Sequence, residues 1–534
     1  MATPLAVLDA AAVRAWFEHA LRSLLLVRRQ VDRLNAFPVP DADTGTNIVL
    51  TLAGAAEAVR ALDGPAELAT LTRTAADGAL LGARGSSGVI VGQCLQALAE
   101  TFAGADEAGP ELVARALDAA ARQARDAVGH PVEDTILTVA RAAADAAVRH
   151  APGADLAGTV RAASAAARDG LAGTRGAHGG ALDAGAAGYV VLLSSLVDVV
   201  EREGDTGTRR ADAVAAFLAA AAAPPDGADV PAAPPVTATA AEDAAEGAGD
   251  FEVMYVLRAD GARAATLRDA LGDTGHSVAV VGWSDATGTG LWQVHVHTDT
   301  PLTALAEPEA MEQVCVRYLR PLLAAADDRP AHGHSPEDAA RTGVVACTRA
   351  PGLLEPLART GAVAVLAAGA GPAGLRRAAA DTGAAEVLIL PCDETTAAAA
   401  QEAAAAIAAG RVAPHVGHQA VTVAPTRNDV HVLAAAVEVA PGAAQAGHPA
   451  AALAEQAVRR TRTAEVGDAD GALAAALAEM VRPADELVTA LLGAGADEEA
   501  AEQVRTTVAQ VAPQAEVVVV RGGQPAPVVV LGVE

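Results

Sequence analysis

The chain has 534 residues, a formal net charge of −28, 2% aromatic residues and no lysine. Such a surface repels nucleic-acid backbones and anionic lipid, and so few rings leave little on which bases could stack. The absence of lysine also excludes a Walker A loop, which needs that side chain on the phosphates.

The length suits about two to four domains. The hydrophobic fraction of 52% is mostly alanine. The most apolar stretch, 190–200, is interrupted by Ser194, Ser195 and Asp198 and is too short to span a bilayer. No basic region precedes an apolar core near Met1, so no signal peptide and a cytoplasmic protein are expected. Cys94, Cys315, Cys347 and Cys392 form no Cys-x-x-Cys pair, which argues against a thiol-redox motif or zinc ribbon.

Val13, Trp16, Phe17, Ala20, Leu21, Leu24, Val31 and Leu34 recur at three- and four-residue spacing. This predicts one amphipathic helix over 9–34, with Asp9 able to cap it. Residues 35–47 follow, Asn-Ala-Phe-Pro-Val-Pro-Asp-Ala-Asp-Thr-Gly-Thr-Asn. Pro38 and Pro40 hold the first half extended. Asp41 and Asp43 then stand two positions apart, and in a turn both carboxylates can point at one place. Like charges that converge need a cation between them. The oxygen-rich set of carboxylates, amides and hydroxyls suits magnesium, which takes its remaining ligands from water and substrate phosphates. An EF-hand is excluded by spacing: counted from Asp41, the required glycine is Thr46 and the required glutamate is Leu52. On residues alone, a metal–phosphate site and a structural acidic turn both stay open. A second helix is predicted over 48–62, which puts the turn near a helix N-terminus, where anions are favoured.

Gly82 to Gly88 is glycine-rich and runs into an apolar helical stretch, 89–99. Its glycines let backbone N–H groups approach phosphate, and Ser86 and Ser87 add hydroxyl donors. Alone, such a turn is more often helix punctuation than a phosphate site. Cys94, on the helix that follows, reads as a small core residue.

Together, residues 38–47 and 82–90 resemble the nucleotide-binding domain of dihydroxyacetone kinase, and more closely the ATP-binding subunit of bacterial fatty acid kinase, in order and in spacing. The resemblance implies an all-helical barrel over 1–200 that binds ATP with two magnesium ions. It makes Asp41 and Asp43 catalytic metal ligands and Asn35 a further magnesium ligand, with Thr44, Thr46, Asn47, Gly85, Ser86 and Ser87 on the phosphates. Thr135, in a Thr-Ile-Leu-Thr segment, and Asp183, in an Asp-x-Gly, resemble positions near the nucleotide in relatives. Taken alone, the first is a capped helix start, with Glu133 and Asp134 at the favourable end of the dipole, and the second is a turn.

Residues 201–249 turn to Ala, Pro, Gly, Asp and Glu and read as a linker. From Phe251 the period becomes two. Strands are predicted at 251–257, 277–281 and 291–298 with a helix over 266–272, giving a small α/β middle domain over 250–330. His295 and His297 fall on one face of their strand. A polar sheet face and a metal site both fit that pattern. Relatives carry Val-His-Val-His-Thr here and bind zinc with it and a cysteine of the first strand. That cysteine is Glu252 in this chain, and glutamate can also ligate zinc.

Residues 342–534 read as a second α/β domain. Strands at 386–391, 420–427, 516–520 and 528–533, separated by helical stretches, predict parallel crossover units. These pieces resemble the DegV-like C-terminal domain of that same kinase family. The polar loop expected after its first strand is missing, since 367–380 is mostly Ala and Gly, and 463–485 is shortened. Partner docking is therefore expected of it rather than lipid binding.

The resemblance as a whole implies a kinase that phosphorylates a fatty acid carboxylate presented by a separate DegV-type carrier, giving an acyl phosphate. The alternatives are a dihydroxyacetone-type small-molecule kinase and a non-catalytic nucleotide-sensing scaffold. Neither nucleic acid nor stable membrane insertion is expected, and a homodimer stays open.

Overall fold

The structure is a computed structural model that describes residues 3–35, 43–62, 64–176, 182–202, 216, 249–284, 288–319, 342–409, 419–440, 449–467 and 472–534. Asp41 with Pro38 and Pro40, and nearly all of the 201–249 stretch, lie outside the described residues. Two compact units are present. The described residues 3–250 and 256–299 form one, and 251–255, 300–319 and 342–534 form the other.

The first unit is helical over its first 200 residues. α1 (Ala10–Leu34) is capped by Asp9, whose carboxylate accepts from the Ala12 N–H at 2.7 Å. The residues with helical spacing face inward: Val13, Trp16, Phe17, Ala20, Leu21, Leu24 and Val31 are all buried. α2 (Thr44–Arg60), α3 (Leu68–Gly82), α4 (Gly85–Thr101), α5 (Pro110–Asp126), α6 (Ile136–His150), α7 (Leu156–Gly173) and α8 (Ala184–Val200) follow. Each packs on its chain neighbours, and α8 returns onto α1, which closes the ring. The many buried alanines keep the contact surfaces low, so the helices approach closely. α8 explains the most apolar stretch of the sequence. Every residue but Val199 is buried there. Its one carboxylate, Asp198, is paired with His19 Nε2 of α1 at 3.0 Å. A helix that is apolar all round is a core helix when its neighbours cover it. Among the described residues no helix is long and apolar enough to cross a membrane.

Part of the middle stretch packs on this ring. α9 (Gly261–Thr274) leads to β2 (His276–Ser284) and β3 (Gly290–Thr298), an antiparallel pair in which Ala279 faces His295. Contacts with α3, α4 and the end of α5 fix β2 to the ring, among them these. The Gly282 N–H donates to Gln93 Oε1 of α4 at 3.1 Å, the Gly129 N–H donates to the Val278 carbonyl at 3.1 Å, and the Arg73 guanidinium lies 4.7 Å from the Trp283 ring centroid. The division between the units runs through β1 (Phe251–Ala259). By packing, then, residues 256–299 belong with the ring.

In the second unit, β5 (Thr342–Thr348), β6 (Val363–Leu366), β7 (Glu386–Leu390) and β8 (Ala420–Val423) pair in parallel in the order β6-β5-β7-β8, as expected of crossover units. β4 (Met311–Tyr318) lies antiparallel to β6. A second sheet has the order β11-β10-β12-β9, from β9 (Arg462–Val466), β10 (Leu487–Leu492), β11 (Glu516–Arg521) and β12 (Val529–Val533). Only β10 and β11 are parallel there, and β12 runs antiparallel to both β10 and β9. The expectation of parallel units fails at this point. The connection over 522–528 is too short for a crossover, which takes a dozen or so residues.

Candidate active site

Residues 43–47, the described part of the acidic stretch, meet the last turns of α1. α2 begins at Thr44, four residues earlier than its apolar pattern suggests, with Asp43 as its N-cap residue. Asp43 makes no capping bond with its side chain. Its Oδ1 instead accepts from Asn47 Nδ2 at 2.7 Å. The cap comes from Asp32 of α1, whose Oδ1 accepts from the Thr46 N–H at 2.8 Å and whose Oδ2 accepts from the Thr46 hydroxyl at 3.0 Å. Arg28 Nη1 donates to the same hydroxyl oxygen at 3.0 Å. The donors of Thr46 are thus committed within the protein, which makes it a fixed point of the turn. Asn35 is the buried C-cap of α1, and Thr44 and Asn47 are buried.

Burial pushes the Asp32 carboxyl up to about 6, and the neighbouring Asp43 charge pushes the same way. The Thr46 amide, the Arg28 guanidinium and the Thr46 hydroxyl pull against it. With both oxygens accepting, Asp32 is an ionised acceptor at neutral pH.

The glycine-rich turn arrives from the other side. α4 starts at Gly85, not at Val89, and Gly85 has φ +55°. A Cβ on Gly85 would collide with the Asn47 amide, so glycine is needed for both conformation and space. This contact joins the two sequence motifs. The N-cap residue of α4, Arg84, makes no side-chain capping bond, so Gly85, Ser86 and Ser87 open the helix as a row of first-turn N–H groups. The Ser86 hydroxyl lies 3.3 Å from His295 Nδ1, which also faces the Ser277 carbonyl at 2.9 Å. Ser87 Oγ lies 3.1 Å from where a Cβ of Gly185 would stand, and Asp183 Oδ1 and Ile136 Cβ both lie 3.4 Å from that point. The first turns of α2, α4, α6 and α8 therefore converge. Asp183 caps α8 by accepting from the Ala186 N–H at 2.7 Å, and Thr135 caps α6 by accepting from the Leu137 N–H.

Asp32 is the residue that sequence reasoning missed. A signal existed: a carboxylate in the last turn of a helix sits at the wrong end of the dipole.

Glu252, His295 and His297 are each buried. The His295 and His297 ring centroids are 4.9 Å apart. Arg317 Nη1 donates to Glu252 Oε2 at 3.0 Å. All four cysteines are buried, and none is in a disulfide. Burial pushes the Cys94 and Cys347 thiols up to about 12, so neither is a ready nucleophile. In the second unit the cation after β5, Arg349, is held at 2.8 Å by the buried Asp429 and at 2.6 Å by Glu465.

A closed helical ring in which the start of α2 meets the glycine-rich start of α4 defines the class of the first unit. The DAK2 domain model matches residues 38–198. The models for the middle and the C-terminal domains of FakA-like fatty acid kinase proteins match residues 248–314, and 343–471 with 467–534. The chain belongs to the FakA-like fatty acid kinase family. It is 43% identical over 121 residues to an uncharacterized protein of Staphylococcus aureus strain bovine RF122 / ET3-1, which is 23% of this chain and 22% of that protein. An uncharacterized protein of Staphylococcus saprophyticus is 42% identical over 125 residues, with the same 23% and 22% shares. The match thus spans under a quarter of these relatives' length.

Proposed function

We propose that this chain is an ATP-dependent kinase that phosphorylates a fatty acid carboxylate presented by a separate lipid-binding protein. The observation that carries this reading is the meeting of two helix starts at Asn47 and Gly85. One supplies first-turn N–H groups suited to phosphate, and the other carries a carboxylate that does not cap its own helix. The residues fit magnesium: Asp43 with Asp41 and Asn35 would hold it, and the ion would neutralise charge on the phosphates. Asn47, Gly85, Ser86 and Ser87 would position the phosphates, with Thr44 behind them and Thr135 and Asp183 shaping the far wall.

The acceptor carboxylate is already ionised near neutral pH, so no general base is needed. A carboxylate oxygen forms a bond to the γ-phosphorus, the bond to the β,γ-bridging oxygen breaks, and ADP leaves with the electron pair. The protein's part is alignment and charge neutralisation. In titration calorimetry the full chain should bind ATP with magnesium and lose at least about tenfold in affinity when the metal is chelated. Magnesium-independent binding, or none, contradicts the reading.

His295 and His297 would hold a second metal, with Glu252 as the further ligand in place of the relatives' cysteine. Two imidazoles and a carboxylate suit zinc, although Arg317 shares the carboxylate. Elemental analysis of the full chain should find about one zinc per chain, lost on replacing both histidines. Metal-free protein with an unchanged melting point would return them to a polar sheet face.

A further inference from the structure

Among the described residues, six helices besides α2 have an aspartate at the N-cap that binds with its side chain: Asp9, Asp155, Asp183, Asp260, Asp393 and Asp497. Each accepts from the N–H three residues on, with Ala12, Gly158, Ala186, Arg263, Thr396 and Ala500 as donors. By that rule Asp43 would accept from the Thr46 N–H. It does not, because Asp32 of α1 already does. The backbone agrees. The six capping aspartates have extended ψ, from 123° upward through 180° to −176°, whereas Asp43 has ψ 1°.

The approach of α1 to α2 is built for this exchange. A Cβ on Gly45 would stand 2.9 Å from Asp32 Oδ1 and 2.5 Å from the Arg28 carbonyl, so only glycine admits the carboxylate there. Arg28 then braces the Thr46 hydroxyl from the same helix.

We propose that Asp32 is a positioning residue: by capping α2 from α1, it keeps the Asp43 carboxylate out of the capping position, on the Asn47 amide, from which it would reach the cation of the nucleotide site. This rests on the reading of Asp43 as a magnesium ligand. Without Asp32, the Thr46 N–H is unpaired, and Asp43 is the nearest acceptor by the pattern of the other six helices. It would turn inward to cap α2 and leave the metal.

The test uses the full chain and two readouts. In Asp32→Ala, the magnesium concentration for half-maximal ATP binding should rise about tenfold. Asp32→Asn keeps an acceptor for the Thr46 N–H but weakens the hydroxyl contact, so it should fall between wild type and Asp32→Ala. The second readout is the melting midpoint. Asp43→Ala should barely move it in the wild-type background and should lower it clearly in the Asp32→Ala background, where Asp43 has become the cap. A magnesium requirement unchanged in Asp32→Ala, or additive shifts of the midpoint, overturns the inference. Should Asp32→Ala not fold, a wild-type magnesium requirement in Asp32→Asn overturns it instead. Wild-type protein that binds ATP without magnesium removes the metal reading itself, and this inference with it.

Discussion

Replacing Asp41 and Asp43 together by asparagine is expected to lower phosphoryl transfer by at least about a hundredfold, while the melting transition hardly moves. The two effects separate because of what Asp43 does not do. It caps nothing, since the first turn of α2 is held by Asp32. Its carboxylate rests on the Asn47 amide, which an asparagine side chain can still engage through its carbonyl oxygen. Removing its charge also relieves Asp32, whose carboxyl is pushed up partly by the Asp43 charge. Stability should therefore change by less than about 0.5 kcal/mol, the usual range for substitutions that break no cap and open no cavity. Activity has no such substitute, because a neutral amide is a poor magnesium ligand. Turnover comparable with wild type would show that the acidic turn is structural. A melting point that falls sharply would show that Asp43 carries the fold after all.

The second large effect concerns the acceptor. With free oleate alone the chain is expected to turn over at least about tenfold more slowly than with oleate loaded on a DegV-type carrier. Leaving an acyl chain in water costs about 0.8 kcal/mol for each exposed CH₂, so the chain must be buried somewhere while its carboxylate reaches the phosphate. The helical ring is filled by its own side chains, α8 among them. In the second unit Arg349, a cation that could have received a fatty carboxylate, is already neutralised by Asp429 and Glu465. A separate protein is then the simpler source of a buried acyl chain. ATP consumption measured with and without the carrier checks this. Equal rates would place the acyl site in the chain itself.

Much of the helical ring is legible in the sequence because its signals are local. Asp9 and the stripe from Val13 to Leu34 fix α1 to within a residue. The starts of α2 and α4 are harder to place, since Thr44–Asn47 and Gly85–Gly88 carry no apolar periodicity although both stretches are helical. Strands such as β6, with four residues, and β9, flanked by polar positions, lack the length or alternation that marks a strand. The antiparallel return of β12 depends on a short connection, not on strand composition. The candidate site divides the same way. The acidic and glycine-rich turns stand out by residue type, yet their meeting at Asn47 and Gly85 is a tertiary fact. So are the approach of His295 to Ser86 and the capping of Thr46 by Asp32, which no spacing rule encodes.

Phosphoryl transfer to a carboxylate is tested most directly by the chemical form of the product. The full chain, magnesium, ATP labelled at the γ-phosphate and oleate on a purified DegV-type carrier are incubated together, and the reaction is quenched into hydroxylamine. The predicted result is label in a lipid-soluble product that hydroxylamine cleaves to phosphate and oleoyl hydroxamate, dependent on both carrier and magnesium. Label found only as free phosphate with no hydroxamate, or transferred to dihydroxyacetone in preference to oleate, would contradict it.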